Sequence, residues 1–200
     1  QGNDIQKGTV LRIIGDNWVI ENLDFSVGLK GLVLDNSNNS AIINCIVHKI
    51  GNEAIHVRDG SDFTVIDNCK IYDTGNVNSG YGEGVYIGTD RKDWGKFSSN
   101  CDNTLITNCQ IGPSVRAEAI DIKEGTQNTT VINNNFDGLG ISGSNSATLL
   151  STKTETPRSL RMALSSLILI EKSSILTSTK ILSRALQAEI FWVFAFRITS

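Results

Sequence analysis

Residues 104–125 read TLITNCQIGPSVRAEAIDIKEG. They hold two short apolar strands, LITNCQI (105–111) and AIDIK (119–123), joined by a polar turn. The same unit recurs along the chain. First strands VIENLDF, AIINCIV, VIDNCKI, LITNCQI and TTVINNNF align on Asn22, Asn44, Asn68, Asn108 and Asn133. Second strands GLVLD, AIHVR, GVYIG, AIDIK and GISGS begin their apolar runs at Leu32, Ile55, Val85, Ile120 and Ile141. Successive asparagines lie 22, 24, 40 and 25 residues apart.

A repeat of 20 to 30 residues built from such short strands cannot bury its own apolar face, so each copy must stack on the next. Leucine-rich repeats share the period, but their Leu framework is absent. Asn, Gly and short β-branched runs point to a parallel β-helix with rungs about 4.8 Å apart. The expected fold is therefore an all-β solenoid of about five rungs over residues 1–147. With these repeats, of the PbH1 type, the chain resembles the right-handed parallel β-helix, or pectate-lyase-like, superfamily. That scaffold hosts lyases, hydrolases, epimerases and adhesins, so fold alone does not name an activity.

Column logic assigns several residues structural roles. The five asparagines are expected to form a ladder of side-chain amides. Cys45, Cys69 and Cys109 fall one residue later, in one column, and are read as small buried fillers rather than metal ligands. Cys101 lies in an insertion, outside that column.

The chain has 200 residues, a net charge of −3 and a pI near 5.4. No basic stripe suggests nucleic acid, and no apolar run is long enough to span a membrane. The sequence opens within the repeat pattern, with Ile5, Val10, Leu11 and Ile13 reading as remains of an earlier rung, so the solenoid is expected to be incomplete at its amino end. After Asn145 no Asn, Gly or Asp occurs. Residues 148–200 are read as a non-repeat tail, either a helical cap or a stretch in a shifted reading frame; the abruptness of the change favours the second.

Alternation along the second strands leaves two outward columns. One is Val33, His56, Tyr86, Asp121, Ser142; the other is Asp35, Arg58, Gly88, Lys123, Ser144. Gly88 opens a notch between Arg58 and Lys123. Two insertions, residues 72–84 and 89–101, flank the GVYIG strand and account for the 40-residue step. They bring Tyr81 and Trp94, flat faces for a sugar ring, and Gly88 with them forms the expected substrate-binding set. Glu53, Glu83 and Glu118 precede the strands, and Asp59, Asp90, Asp93 and Glu124 follow them.

Two cations across a notch suit an acidic polysaccharide. β-Elimination from a uronate needs a base for the proton beside the carboxylate and a positive charge to stabilise the carbanion. Lys123, Arg58, His56 and Tyr86 are the candidate catalytic residues. Glu83, Asp90 and Asp121 are the candidate ligands of a calcium ion. In pectate-lyase-like families an outward Arg or Lys acts as base, often beside calcium, and Lys123 in EAIDIKEG resembles such a lysine. The expected function is a polysaccharide lyase acting on a pectate-like uronate polymer, secreted and monomeric. Its alternatives are a glycoside hydrolase using Glu83 with Asp121 and a non-catalytic carbohydrate-binding or adhesin solenoid. A merely solvated polar face, with salt bridges among Arg58, Asp59, Asp121, Lys123 and Glu124, accounts for the same residues without chemistry.

Overall fold

The computed structural model describes residues 1–142, 149–151 and 197–198. Within them the chain winds in coils of three strands each, all pairing in parallel. The first coil is β1 (Thr9–Ile14), β2 (Val19–Glu21) and β3 (Asp24–Gly28). The second is β4 (Lys30–Asp35), β5 (Ala41–Ile43) and β6 (Ile46–Ile50). The third is β7 (Ile55–Arg58), β8 (Val65–Asp67) and β9 (Lys70–Tyr72). The fourth is β10 (Val85–Ile87), β11 (Leu105–Thr107) and β12 (Gln110–Ile111). The fifth is β13 (Ile120–Ile122), β14 (Thr130–Ile132) and β15 (Asn135–Phe136). Two further strands, β16 (Leu149–Ser151) and β17 (Arg197–Ile198), pair with β13 and β15.

Three strands per coil, rather than two, corrects the sequence reading. The first strands split at their asparagine. Asn22, Asn44, Asn68, Asn108 and Asn133 all have φ between 51° and 58°, the left-handed region, and turn the chain from the second sheet to the third. Asn tolerates that conformation because its short polar side chain bonds locally. The asparagines thus mark corners. Their ladder is partial: Asn68 Nδ2 donates to Asn44 Oδ1 at 2.6 Å, whereas Asn108 Nδ2 donates to Asp67 Oδ1 at 2.8 Å.

The core is a stack of identical positions. Leu32, Ile55, Val85 and Ile120 are wholly buried in one column, and Ile42, Ile66 and Ile106 in another. Cys45, Cys69 and Cys109 are buried free thiols whose Sγ atoms lie 3.5–3.7 Å from the carbonyls of Ile20, Ile42 and Ile66 in the coil before. They fill the core, as their column implied.

A second correction concerns the fifth coil. Ile141 and Ser142 are not in a strand; Ser142 N donates to Arg116 O instead. The position beside Ile120 is taken by Leu149 of β16, and the position beside Asp121 by Leu150. Nothing in a loop's composition sets its length, so the repeat pattern placed this strand too early. Ser144 and the character expected of the 148–200 tail, β16 and β17 apart, lie outside the described residues.

Candidate active site

The outer face of the first sheet, β1-β4-β7-β10-β13-β16, carries the polar columns. Val33, His56, Tyr86 and Asp121 are direct neighbours across successive strands. Asp35 pairs with Arg58. Past the strand ends, Gly88 N donates to Val57 O and Lys123 N to Ile87 O, both at 2.8 Å, which keeps Arg58, Gly88 and Lys123 in file. The stacking of one coil on the next therefore brings these residues onto one face.

That face is outward but not solvated. His56 is 7% exposed and Asp121 1%. Both insertions lie beside it, each with a short 3₁₀ turn, Ser79–Tyr81 and Arg91–Asp93. Trp94 Nε1 donates to Thr89 O, Thr89 Oγ1 to Ser98 O, and Ser98 N to Asp59 Oδ1, which fastens the second insertion to the third coil. Lys92 Nζ sits 5.9 Å from the Tyr81 ring, linking the two insertions. Together they border a cleft of about 240 Å³ whose lining includes Lys30, Glu53, His56, Tyr81, Glu83 and Tyr86.

Tyr86 is the centre of the cluster. Its ring meets His56 edge-on at 4.3 Å, and Lys123 Nζ lies 5.0 Å from its centroid on the other side. Burial pushes the Tyr86 pKa above its ordinary value, and the charges of Asp121 and Asp90 add to that. Lys123 Nζ is 2.8 Å from Asp121 Oδ2. Burial pulls the Lys123 pKa down, but the Asp121 hydrogen bond and charge outweigh it and leave the amine raised.

Arg58 is engaged from two directions. Its Nε and Nη2 donate to the two oxygens of Asp35 at 2.6 and 2.9 Å, and Phe97 lies 4.0 Å beneath its guanidinium. Arg12 Nε donates to the same Asp35 at 2.6 Å. Burial alone would raise the Asp35 pKa, but these two guanidiniums lower it. Arg58 borders the cleft as part of this bridge.

The acidic residues that precede the strands form, with Lys30, a third column. Two residues before each inward apolar position stand Lys30, Glu53, Glu83 and Glu118; the alignment that yielded the other columns also contains this one. Glu53 accepts a hydrogen bond from Lys30 Nζ and lies 3.0 Å from His56 Nδ1. Burial opposes its charge, yet His56 and Lys30 hold its pKa at about 2. Glu83 has no such help. Burial, with Glu53, Asp121 and Glu118 nearby, pushes it up to about 8. Glu118 is likewise raised, by burial and then by Asp121.

Glu83, Glu118 and Asp121 place one carboxylate oxygen each within 4.8 Å of one another, all buried. Asp121 Oδ1 has no hydrogen-bond partner. An all-carboxylate donor set with an unsatisfied buried oxygen, its mutual repulsion relieved by a positive ion, fits a hard divalent cation such as calcium. Of the expected ligands, Glu83 and Asp121 meet here, joined by Glu118. Asp90 instead caps the 91–93 turn, its Oδ1 accepting from Lys92 N. Of the expected sugar platforms, Tyr81 lines the cleft; Trp94 does not, and has Arg91 5.4 Å from its ring.

Comparison with known proteins bears on this geometry. The chain is similar to a crystal structure of an alginate lyase from Paenibacillus sp. str. FPU-7, with 38% identity over 76% of this chain and 53% of that one and a TM-score of 0.72. It thus spans about half of that enzyme's length. The A-module of the Azotobacter vinelandii mannuronan C-5 epimerase AlgE4 is a distant likeness, at 14% identity, 74% and 41% coverage and a TM-score of 0.47. No curated protein sequence matches significantly. The family model for the right-handed β-helix region matches residues 2–153. The solenoid of parallel three-strand coils and that match agree: the chain belongs to the right-handed β-helix family.

Proposed function

We propose that the protein is a polysaccharide lyase that cleaves a polyuronate of the alginate type by β-elimination. The observation that carries this reading is the juxtaposition of Tyr86, which lines the cleft, and Lys123, whose Nζ lies 5.0 Å from its ring. Elimination needs a base and an acid on one side of the sugar. In its unprotonated form, which the pair with Asp121 disfavours at neutral pH, Lys123 takes the proton from the carbon beside the carboxylate, and the Tyr86 hydroxyl donates to the leaving glycosidic oxygen. The raised Tyr86 pKa keeps that hydroxyl protonated until substrate is bound. The 38% identity to an alginate lyase supports alginate over pectate as the first polymer to test.

Calcium belongs to this proposal, held by Glu83, Glu118 and Asp121. A cation held there would supply positive charge beside Lys123 and so favour its unprotonated form. Arg58, fixed by Asp35 and Phe97, supplies a stationary positive charge at the cleft wall. A substrate too large to enter a cell supports an extracellular location.

The hydrolase alternative fares less well. Oxygens of Glu83 and Asp121 approach within 4.8 Å, too close for an inverting pair, which needs roughly 6.5 to 9.5 Å, and the retaining role left open would need Asp121 as nucleophile, which Lys123 Nζ holds at 2.8 Å. The test is ultraviolet absorbance of the unsaturated product on polymannuronate, polyguluronate and pectate, with calcium or chelator. Lys123→Ala and Tyr86→Phe are each expected to lose about 10²- to 10⁴-fold in kcat. Reducing ends formed without the ultraviolet signal, or silence on every polymer, would refute the lyase reading.

A further inference from the structure

His56 is more constrained than a solvated histidine. Its Nδ1 lies 3.0 Å from Glu53 Oε1, and its Nε2 lies 3.2 Å from the carbonyl oxygen of Gly88. Both neighbours are acceptors: Glu53 Oε1 already accepts from the Lys30 ammonium, which holds it as a carboxylate, and a peptide carbonyl has no proton to give. A neutral imidazole carries one N–H. Whichever nitrogen held it, the other would point a lone pair at an oxygen lone pair inside a buried site. Only the doubly protonated ring satisfies both contacts.

We infer that His56 is an imidazolium donating from both nitrogens, and that it is a positioning residue for Tyr86. The groups facing it are consistent with a charge that is held in place. Glu53 provides the counter-charge, Lys30 and Arg58 oppose it, and Tyr86 covers one edge. Burial, with Lys30 and Arg58 acting the same way, outweighs the Glu53 hydrogen bond and charge and leaves the His56 pKa below its ordinary value, so the case for the charged ring rests on the two acceptor contacts. The second acceptor, Gly88 O, then makes the charged ring the form that fits.

Two consequences follow. The imidazolium ties the carbonyl of Gly88, the notch residue, to the Glu53 side of the cleft. It also sets a positive charge against the Tyr86 ring, where negative charge develops as the hydroxyl gives up its proton. This second role rests on the lyase reading; the charge state does not.

Nitrogen-15 NMR of histidine-labelled protein tests the charge state without substrate. The chain has two histidines, so His56→Gln assigns the signals by difference. At pH 7 both His56 ring nitrogens should resonate as protonated, and Glu53→Gln should move the ring toward the one-proton state. A wild-type spectrum at pH 7 with one unprotonated His56 nitrogen overturns the inference, whatever the activity. If the lyase reading holds, His56→Gln should lower kcat on the order of tenfold with KM unchanged, less than the 10²- to 10³-fold of a direct oxyanion donor. An unchanged kcat overturns the positioning role. An imidazolium spectrum from a protein that cleaves no polymer would defeat the lyase reading and leave the charge state standing.

Discussion

Gly88 offers a test of how tightly the notch is built. Its φ is +93°, and a Cβ added there would stand 2.5 Å from Thr126 Oγ1 and 3.2 Å from Lys123 Cβ. Gly88→Ala therefore carries two separable costs. The backbone cost of an L-residue at positive φ is roughly 1–2 kcal/mol. Relieving the overlap with Thr126 adds about 1–2 kcal/mol more. Thr126 Oγ1 is buried without a hydrogen-bond partner, so Thr126→Ala alone should be within about 0.5 kcal/mol of neutral. In the double variant Oγ1 is gone and Lys123 Cβ is the nearest neighbour, at a distance a small shift relieves. Urea unfolding of the four proteins should then give a loss of about 3 kcal/mol for Gly88→Ala and recovery of 1–2 kcal/mol on adding Thr126→Ala. Activity should follow the same order, because the added methyl group displaces Lys123; a misplacement approaching 1 Å costs about 10²-fold. Strict additivity of the two substitutions would refute the steric account.

Three further outcomes follow from the same structure. Asn17, Asn39, Asn103 and Asn128 occupy left-handed corners at φ 54–64°, and the third coil puts exposed Phe63 there at φ 56°; Phe63→Asn should stabilise by about 1 kcal/mol and raise Tm by about 2–4 °C in a thermal melt. Glu53 has its pKa lowered from 4.5 to about 2, so its contribution is fully present above pH 4.5 and disappears as pH falls through about 2. Glu53→Gln should cost about 3 kcal/mol at pH 7, with the gap to wild type closing near pH 2, as read by denaturant titration at each pH. Terbium luminescence should report one carboxylate site that Glu118→Gln or Asp121→Asn removes and Asp90→Asn leaves intact; persistence of the signal in both of the first two variants would exclude that cluster.

Much of the fold was legible because a β-helix is nearly one-dimensional. Residues that touch across coils hold the same place in each strand copy, so aligning the second strands on Ile55, Val85 and Ile120 also aligns His56 with Tyr86 and Tyr86 with Asp121. What the alignment missed has a physical cause each time. The corners were hidden because Asn reads alike within a strand and at positive φ. β16 was misplaced because the preceding loop breaks the period. Of the Lys30, Glu53, Glu83, Glu118 column the sequence singled out Glu83 and left Glu53 and Glu118 at the strand margins, since burial is what gives those carboxylates their meaning.

The amino-acid sequence by itself determined the stacking, the apolar columns and which polar residues share a face, because short β-branched strands at a near-constant spacing have one economical way to bury themselves. Only the tertiary structure decided which of those polar groups are charged, paired or exposed. That depends on insertions 72–84 and 89–101, whose Tyr81, Phe97 and Thr89–Ser98 contacts form at positions no repeat dictates. Their cover turns an outward column into a buried one; burial raises Glu83 and Tyr86, while the partners His56 and Lys30 keep Glu53 ionised against it.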